Sequence, residues 1–301
     1  MSKISKVAAI DCGTNSIRLL ISEDGREIIR EMEIVKLGEG VDRTKNFSPI
    51  AVERTLTALR RFKALIDHHK VERVRFCATS ATRDAQNRKI FTEPVESILG
   101  VAPEVIVGIE EARLSFLGAT SELPISEAPF LVVDIGGGST EFVLGERSVQ
   151  SAISVDIGCV RMTERHFTND PPTEQEIAST RFDINRAIDQ VEIEVPISSA
   201  RTLVAVAGTA TTVAAAALKI PTYDREAIHG ARISAERTFE ISNWLLSMDK
   251  NERANLGFMH PGRVEVIAAG ALVLAEILKR TGAREFVASE RDILDGIVAT
   301  F

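Results

Sequence analysis

The stretch that decides the fold runs from Phe130 to Gly145 and reads FLVVDIGGGSTEFVLG. Phe130 to Val133 is an apolar run with the length and bulk of a buried strand. It ends at Asp134. Gly136, Gly137 and Gly138 follow, then Ser139, Thr140 and Glu141, and Phe142 to Leu144 is a second apolar run. Glycines let a chain turn tightly and present its N–H groups with no side chain in front of them. Such a turn can hold phosphate oxygens. Asp134 and Glu141, at its two ends, are hard oxygen donors suited to a divalent cation. Taken alone, the same residues also read as a Gly-rich hairpin turn with two solvated acids.

A second copy removes the plainer reading. Val7 to Ile10 is an apolar run ending at Asp11, followed by Gly13, Thr14, Asn15 and Ser16, then Leu19 to Ile21. Both copies read apolar run, Asp-x-Gly-x-x-Ser, apolar run. Asp24-Gly25 after the first is a hairpin turn leading into Arg26 to Val35, and Gly145-Glu146-Arg147 does the same before Ser148 to Ile157. Two hairpin units of one design indicate an internal duplication. Paired phosphate turns across a cleft are similar to the arrangement in actin, sugar kinases and heat-shock ATPases, an analogy of fold that does not fix a function.

The chain has 301 residues, which at about 150 per domain suits two domains. With 45% hydrophobic and 26% charged residues it can bury real cores and remain in solution. Its net charge of −7 argues against a nucleic-acid binder, so an anionic substrate needs a local positive site or a metal. No apolar run approaches a membrane span, and MSKISKVAAIDCG has no secretory h-region. The three cysteines, Cys12, Cys77 and Cys159, have no CxxC spacing and read as reduced thiols of a cytoplasmic protein. The five histidines form no HxxxH pair, which disfavours zinc.

Between the two hairpins the chain alternates. Ser48-Pro49 opens a helix to His69, Arg73 to Ala78 is a strand, Thr79 to Asn87 a polar corner, Ile90 to Leu99 a helix, and Val105 to Val107 a strand. A helix follows over Glu110 to Thr120. This order suits an α/β layer. The polar stretch Ser121 to Ala128 is the expected boundary. Domain I is expected over 1–124 plus 288–301, and domain II over 125–287. The second half repeats the plan with helices over Val160 to Phe167 and Thr173 to Val191. A strand follows over Thr202 to Ala207, then a Gly208-Thr209 corner with an Ala-rich helix to Leu218. Thr222 to Gly230 reads as a loop, Ser234 to Met248, Asn251 to Leu256 and Arg263 to Gly282 as helices, Phe286 to Ala288 as a strand, and Arg291 to Phe301 as a closing helix.

Three further places invite chemistry. Arg83, in the corner, can clamp a phosphate bidentately; it can equally pair on the surface with Asp84 or Glu93. Glu110 and Glu111 suit the first turn of a helix on electrostatic grounds alone. The Gly208-Thr209 corner offers a helix N-terminus to an anion, or simply lets helix and strand pack closely.

Several segments, in order, resemble one family: DCGTNSIRLLI at Asp11 to Ile21, KLGEGV at Lys36 to Val41, ATSATRDAQN at Ala78 to Asn87, EEAR at Glu110 to Arg113, VVDIGGGSTE at Val132 to Glu141, AVAGTATT at Ala205 to Thr212, and RVEVIAAGALVL at Arg263 to Leu274. Together they look like the exopolyphosphatase/guanosine pentaphosphate phosphatase family, over nearly the whole chain. The resemblance implies an α/β protein of two ribonuclease H-like (actin-like) domains with an active-site cleft between them. It implies Mg²⁺-dependent release of the terminal phosphate from inorganic polyphosphate, or hydrolysis of guanosine pentaphosphate. Carried over, Glu111 is the catalytic base for water, and Asp11, Asp134 and Glu141 are metal-side acids. The phosphate-binding set is Gly13, Thr14, Asn15, Ser16, Thr79, Arg83, Gly136, Gly137, Gly138, Ser139, Thr140, Gly208 and Thr209. No nucleic-acid or membrane partner is expected; a homodimer is compatible with the reading.

The chain departs from the family pattern at Asp156-Ile157-Gly158, at Arg263-Val264-Glu265 and at Ile293-Leu294-Asp295-Gly296, and it lacks the extra C-terminal helical domains of larger members. Guanosine pentaphosphate hydrolysis as the main activity is the rival within enzymes. An actin-like nucleotide-binding assembly or regulatory protein is the rival from another class.

Overall fold

The computed structural model describes residues 6–301. The first five residues, counted above in domain I and in the stretch read as lacking a secretory signal, lie outside the described residues. The chain divides into two compact units, Met1–Gly118 with Ile293–Phe301, and Ala119–Asp292.

The first unit begins with an antiparallel meander of β1 (Lys6–Cys12), β2 (Ser16–Glu23) and β3 (Arg26–Ile34). Then come α1 (Val41–Thr44), α2 (Pro49–His68), β4 (Arg73–Ala78), α3 (Ser80–Asp84), α4 (Lys89–Leu99), β5 (Glu104–Val105) and α5 (Gly108–Ala119). The sheet order is β3-β2-β1-β4-β5, with β4 parallel to β1 and β5 parallel to β4. Alternation along β1 sorts its side chains. Ala8, Ile10 and Cys12 face a core that takes in Leu56, Leu59 and Phe62 of α2. Ala9 faces the opposite layer with Leu114 of α5.

The second unit repeats this. A meander of β6 (Phe130–Ile135), β7 (Thr140–Gly145) and β8 (Val149–Val155) leads to α6 (Cys159–His166) and α7 (Glu174–Glu194). Then follow β9 (Thr202–Val206), α8 (Ala207–Leu218), α9 (Arg225–Ile228), β10 (Arg232–Ser234), α10 (Ala235–Ser247), α11 (Lys250–Ala254), α12 (Ile267–Thr281) and β11 (Glu285–Ala288). The order is β10-β11-β9-β6-β7-β8. Stripped of β10, β8-β7-β6-β9-β11 matches the first sheet strand for strand, with β9 parallel to β6 and β11 parallel to β9. The duplication inferred from two motifs is therefore a duplication of whole sheets. Among the described residues β10 is the second sheet's addition, antiparallel on the β11 edge. The last helix, α13 (Ile293–Val298), returns to the first unit, where Ile293, Leu294 and Ile297 pack with Ala9, Leu20 and Cys77.

Some boundaries differ from the sequence reading. The expected boundary stretch, Ser121 to Ala128, is tied into the second unit. Glu122 accepts hydrogen bonds from Arg291 and pairs with His229, and the carbonyls of Ser126 and Glu127 accept from Arg201 and Thr202. Ala288 pairs with β9 in the second sheet, so the chain leaves that unit at Asp292 rather than before 288. The helix expected from Arg263 starts at Ile267, because Pro261–Arg263 is a 3-10 turn in which the His260 ring accepts the Gly262 N–H. The loop expected over Thr222 to Gly230 contains α9, capped by the Asp224 side chain. No helix among the described residues is long and apolar enough to cross a membrane.

Candidate active site

The two glycine turns leave the C-terminal ends of β1 and β6, the end of a parallel strand where α/β sheets bind ligands. In each, the carbonyls are held from behind. In the first, Gly38 N–H donates to the Thr14 carbonyl at 2.8 Å, and the Val35 and Lys36 N–H groups donate to the Asn15 carbonyl at 2.9 Å each. Arg54 of α2 braces this clamp by donating to the Val35 and Lys36 carbonyls. In the second, the opening N–H groups of α6 do the work: Cys159 to Gly136 at 2.9 Å, and Val160 and Arg161 to Gly137 at 2.9 and 3.1 Å. This explains why α6 needs no side-chain cap, since its orphan donors find partners in the turn. In a trans peptide the carbonyl and the following N–H point opposite ways. Holding the carbonyls therefore turns the next N–H groups outward. Those of Gly137, Gly138 and Ser139 donate to no group in the described chain.

Parallel pairing brings the other corners alongside. Cys12 registers with Ala78, so Thr79 sits next to the first turn and its N–H donates to the Cys12 carbonyl at 3.1 Å. Asp134 registers with Val206, which brings the Gly208-Thr209 corner beside the second turn. Gly208 lies close under Arg263: a Cβ there would be 2.3 Å from the guanidinium carbon and would push that side chain aside. Thr209 is buried; it hydrogen-bonds the Cys159 thiol, whose pKa burial pushes up to about 11.

The acids differ from one another. Asp134 and Glu141 stand directly opposite in the β6–β7 register and are 7% and 1% exposed. The Ser139 and Ser154 hydroxyls both donate to Glu141 Oε1 at 2.7 Å. The matching position in the first unit holds a base: Arg18, opposite Asp11, donates to its Oδ2 through Nε at 3.0 Å and Nη2 at 2.7 Å. Among the described residues no group of three or more His, Cys, Asp or Glu forms a ready metal cage.

Glu111 and Arg83 are together. Arg83 Nη1 donates to Glu111 Oε2 at 2.6 Å and to the Ile106 carbonyl at 3.0 Å. Asp84 and Glu93, the surface partners considered for Arg83, do not take this role. The neighbouring acid is occupied differently: Arg113 donates twice to Glu110 at 2.8 Å, and Arg75 lies at 3.6 Å. The Arg113 guanidinium holds the Glu110 carboxyl below its ordinary pKa, which makes it a weaker base.

Two of the residues expected to bind phosphate turn their side chains inward. The Thr14 hydroxyl pairs with that of Ser80 at 2.9 Å, and the Thr140 hydroxyl donates to the Ile157 carbonyl at 2.9 Å. With the hydroxyls so engaged, each has its backbone left to offer an anion. Two arginines were not among the site residues expected from sequence. Arg18 follows Asp11 by the interval that separates Glu141 from Asp134, so the duplication itself marked the position. Arg263 donates to the Gly208 carbonyl and the Thr212 hydroxyl at 3.1 Å each and has no ion pair among the described residues.

Comparison with known proteins identifies the family. The Ppx/GppA phosphatase family matches residues 22–300. Exopolyphosphatase 2 of Mycobacterium tuberculosis is 47% identical over 98% of each chain. Among solved structures, an exopolyphosphatase-like protein superposes with a TM-score of 0.95 at 45% identity over 98% of each chain. The PPX-GPPA enzyme of Aquifex aeolicus superposes with a TM-score of 0.83 at 33% identity, over 99% of this chain and 100% of that one. The chain belongs to the Ppx/GppA phosphatase family.

Proposed function

We infer that this protein is an exopolyphosphatase, a phosphoanhydride hydrolase that removes the terminal phosphate from inorganic polyphosphate. The observation that carries this is the pair of carbonyl-clamped turns, which present backbone N–H groups to an anion, in a chain that also holds Glu111 against Arg83. Cleaving a phosphoanhydride needs positioned water, a base and charge neutralisation. In the proposed reaction Glu111 takes a proton from water as its oxygen attacks the terminal phosphorus. The bond to the bridging oxygen breaks, the chain leaves one phosphate shorter, and the proton passes from Glu111 to solvent. Arg83 exchanges its carboxylate partner for a phosphate oxygen. The N–H groups of Gly137, Gly138 and Ser139 meet the charge that spreads over the equatorial oxygens. This assigns base and clamp to the first unit, and the Gly-rich turn and metal acids to the second.

Mg²⁺ fits Asp134 and Glu141. They are buried carboxylates from opposed register positions, and Mg²⁺ takes one or two carboxylates and completes its shell with waters and phosphate oxygens. Bound there, the ion would neutralise developing charge. Asp11 fits less well, because Arg18 already takes its carboxylate. Three buried free cysteines suit a reducing, cytoplasmic setting.

Phosphate release from polyphosphates of graded length and from guanosine pentaphosphate, each with and without Mg²⁺, tests the reading. Release from polyphosphate that requires Mg²⁺ is expected, with guanosine pentaphosphate as a second substrate. Release from the guanosine compound alone would replace the first activity with the second. Tight ATP binding with no turnover of either would favour an assembly protein.

A further inference from the structure

We propose that Arg161 is a positioning residue that aims the donors of the second phosphate turn. This rests on the reading above that the Gly136–Ser139 turn holds phosphate. Arg161 is 5% exposed, and its Nε donates to the Gly138 carbonyl at 2.6 Å. Its own N–H donates to the Gly137 carbonyl at 3.1 Å. One residue thus grips two successive peptides of the turn. Drawing the Gly137 carbonyl back points the Gly138 N–H outward, and drawing the Gly138 carbonyl back does the same for Ser139. A cationic donor on the carbonyl also polarises that peptide and strengthens its N–H.

The neighbouring geometry shows why the grip must be tight. Gly158, just before α6, approaches the turn so closely that a Cβ would lie 2.2 Å from the Gly137 oxygen. The start of the helix and the turn are thus in direct backbone contact. The first unit uses a looser device, in which Arg54 holds the segment behind its turn and not the turn itself. Asp156, 3.7 Å from the Arg161 guanidinium, is 72% exposed, so water screens that pair while the carbonyl bond stays buried. The acid at this departure from the family pattern therefore faces Arg161 from the solvent side.

The test uses Arg161→Met, which keeps length and bulk without the donor. In a Glu111→Gln background, calorimetric binding of tripolyphosphate with Mg²⁺ should weaken about tenfold or more, the usual worth of a charge-assisted hydrogen bond. In the active background KM should rise by a similar factor while kcat falls less. Guanidinium ion added to Arg161→Gly should restore part of the loss. A merely structural role would lower the folded fraction, and with it apparent kcat, at unchanged KM. Unaltered KM and binding in folded Arg161→Met would overturn the proposal. If Arg161→Met does not fold, Arg161→Lys is judged by the same KM criterion. If the Glu111→Gln parent itself binds no tripolyphosphate, the functional reading fails instead, so the two failures are distinguishable.

Discussion

Replacing Gly158 with Ala puts one methyl group where the structure has no space. The Cβ would lie 2.2 Å from the Gly137 oxygen, 2.3 Å from its carbonyl carbon and 2.5 Å from the Gly138 nitrogen. All three are backbone atoms of the phosphate turn, so no rotamer change relieves the overlap. Reaching ordinary contact requires a shift of roughly 1 Å or more. The backbone of Gly158 has φ −80° and ψ 160°, which any residue adopts, so the cost is all in the contact. Overpacking of this kind costs about 1–3 kcal/mol, or a fall in Tm of roughly 2–12 °C for a unit of this size. The larger effect should be on catalysis, because a misplacement of about 1 Å at a reacting group costs on the order of 10²-fold. Gly13→Ala is the control for packing alone: its Cβ would sit 3.7 Å from the nearest atoms, an ordinary contact, and should leave Tm almost unchanged. Thermal unfolding of both variants, and phosphate release by Gly158→Ala beside the parent, measure the two effects. Near-normal kcat/KM in folded Gly158→Ala would refute the claim that the turn's position matters.

Three further outcomes are expected. The thiols of Cys12, Cys77 and Cys159 are all pushed up by burial, Cys77 to about 12 and Cys159 to about 11. A disulfide-exchange reagent at pH 8 should therefore find no reactive thiol in the native protein and three after denaturation. Glu276 would be raised by burial, but hydrogen bonds from Lys279, Asn185 and Arg181 outweigh this and hold it below the ordinary value. Its stabilisation is present above the unfolded value of about 4.3 and is lost as pH falls through the lower folded value. The deficit of Glu276→Gln in denaturant unfolding, about 1–2 kcal/mol at pH 7, should shrink below pH 4. Asp134→Ala should raise the Mg²⁺ concentration needed for activity; an unchanged Mg²⁺ dependence removes Asp134 from the metal site.

Much of the fold was legible because its elements are long and periodic. The two Asp-x-Gly-x-x-Ser turns sit between apolar runs, so the hairpins and their duplication could be read directly. α7 was legible as a helix from Thr173 to Val191, and in the structure Thr173 and Glu176 form a capping box at its start. β10 was missed because three residues carry no readable alternation. Arg18 was missed because a charged residue in an alternating strand reads as solvent-facing, whereas here it lies against a buried Asp11. The need for glycine at Gly158 comes from contact with the Gly137 backbone, which is distant in sequence. The inward rotation of Thr14 and Thr140 depends on Ser80 and on the Ile157 carbonyl, and no local pattern encodes it. For Glu110 and Glu111, the helix dipole explained both acids equally; the resemblance chose Glu111, and the structure gives the two acids separate partners.

That separation allows the most direct test of the central claim. Glu111→Gln and Glu110→Gln each remove one charge from the same helical turn with almost no change in shape. Steady-state phosphate release from polyphosphate, beside binding of a non-hydrolysed analogue, compares them. The account predicts that Glu111→Gln loses about 10²–10⁴-fold in kcat while binding survives. Glu110→Gln, held by Arg113 and Arg75, should stay within a few-fold of the parent. Near-normal turnover in Glu111→Gln would contradict the account, and loss in Glu110→Gln alone would move the base by one residue.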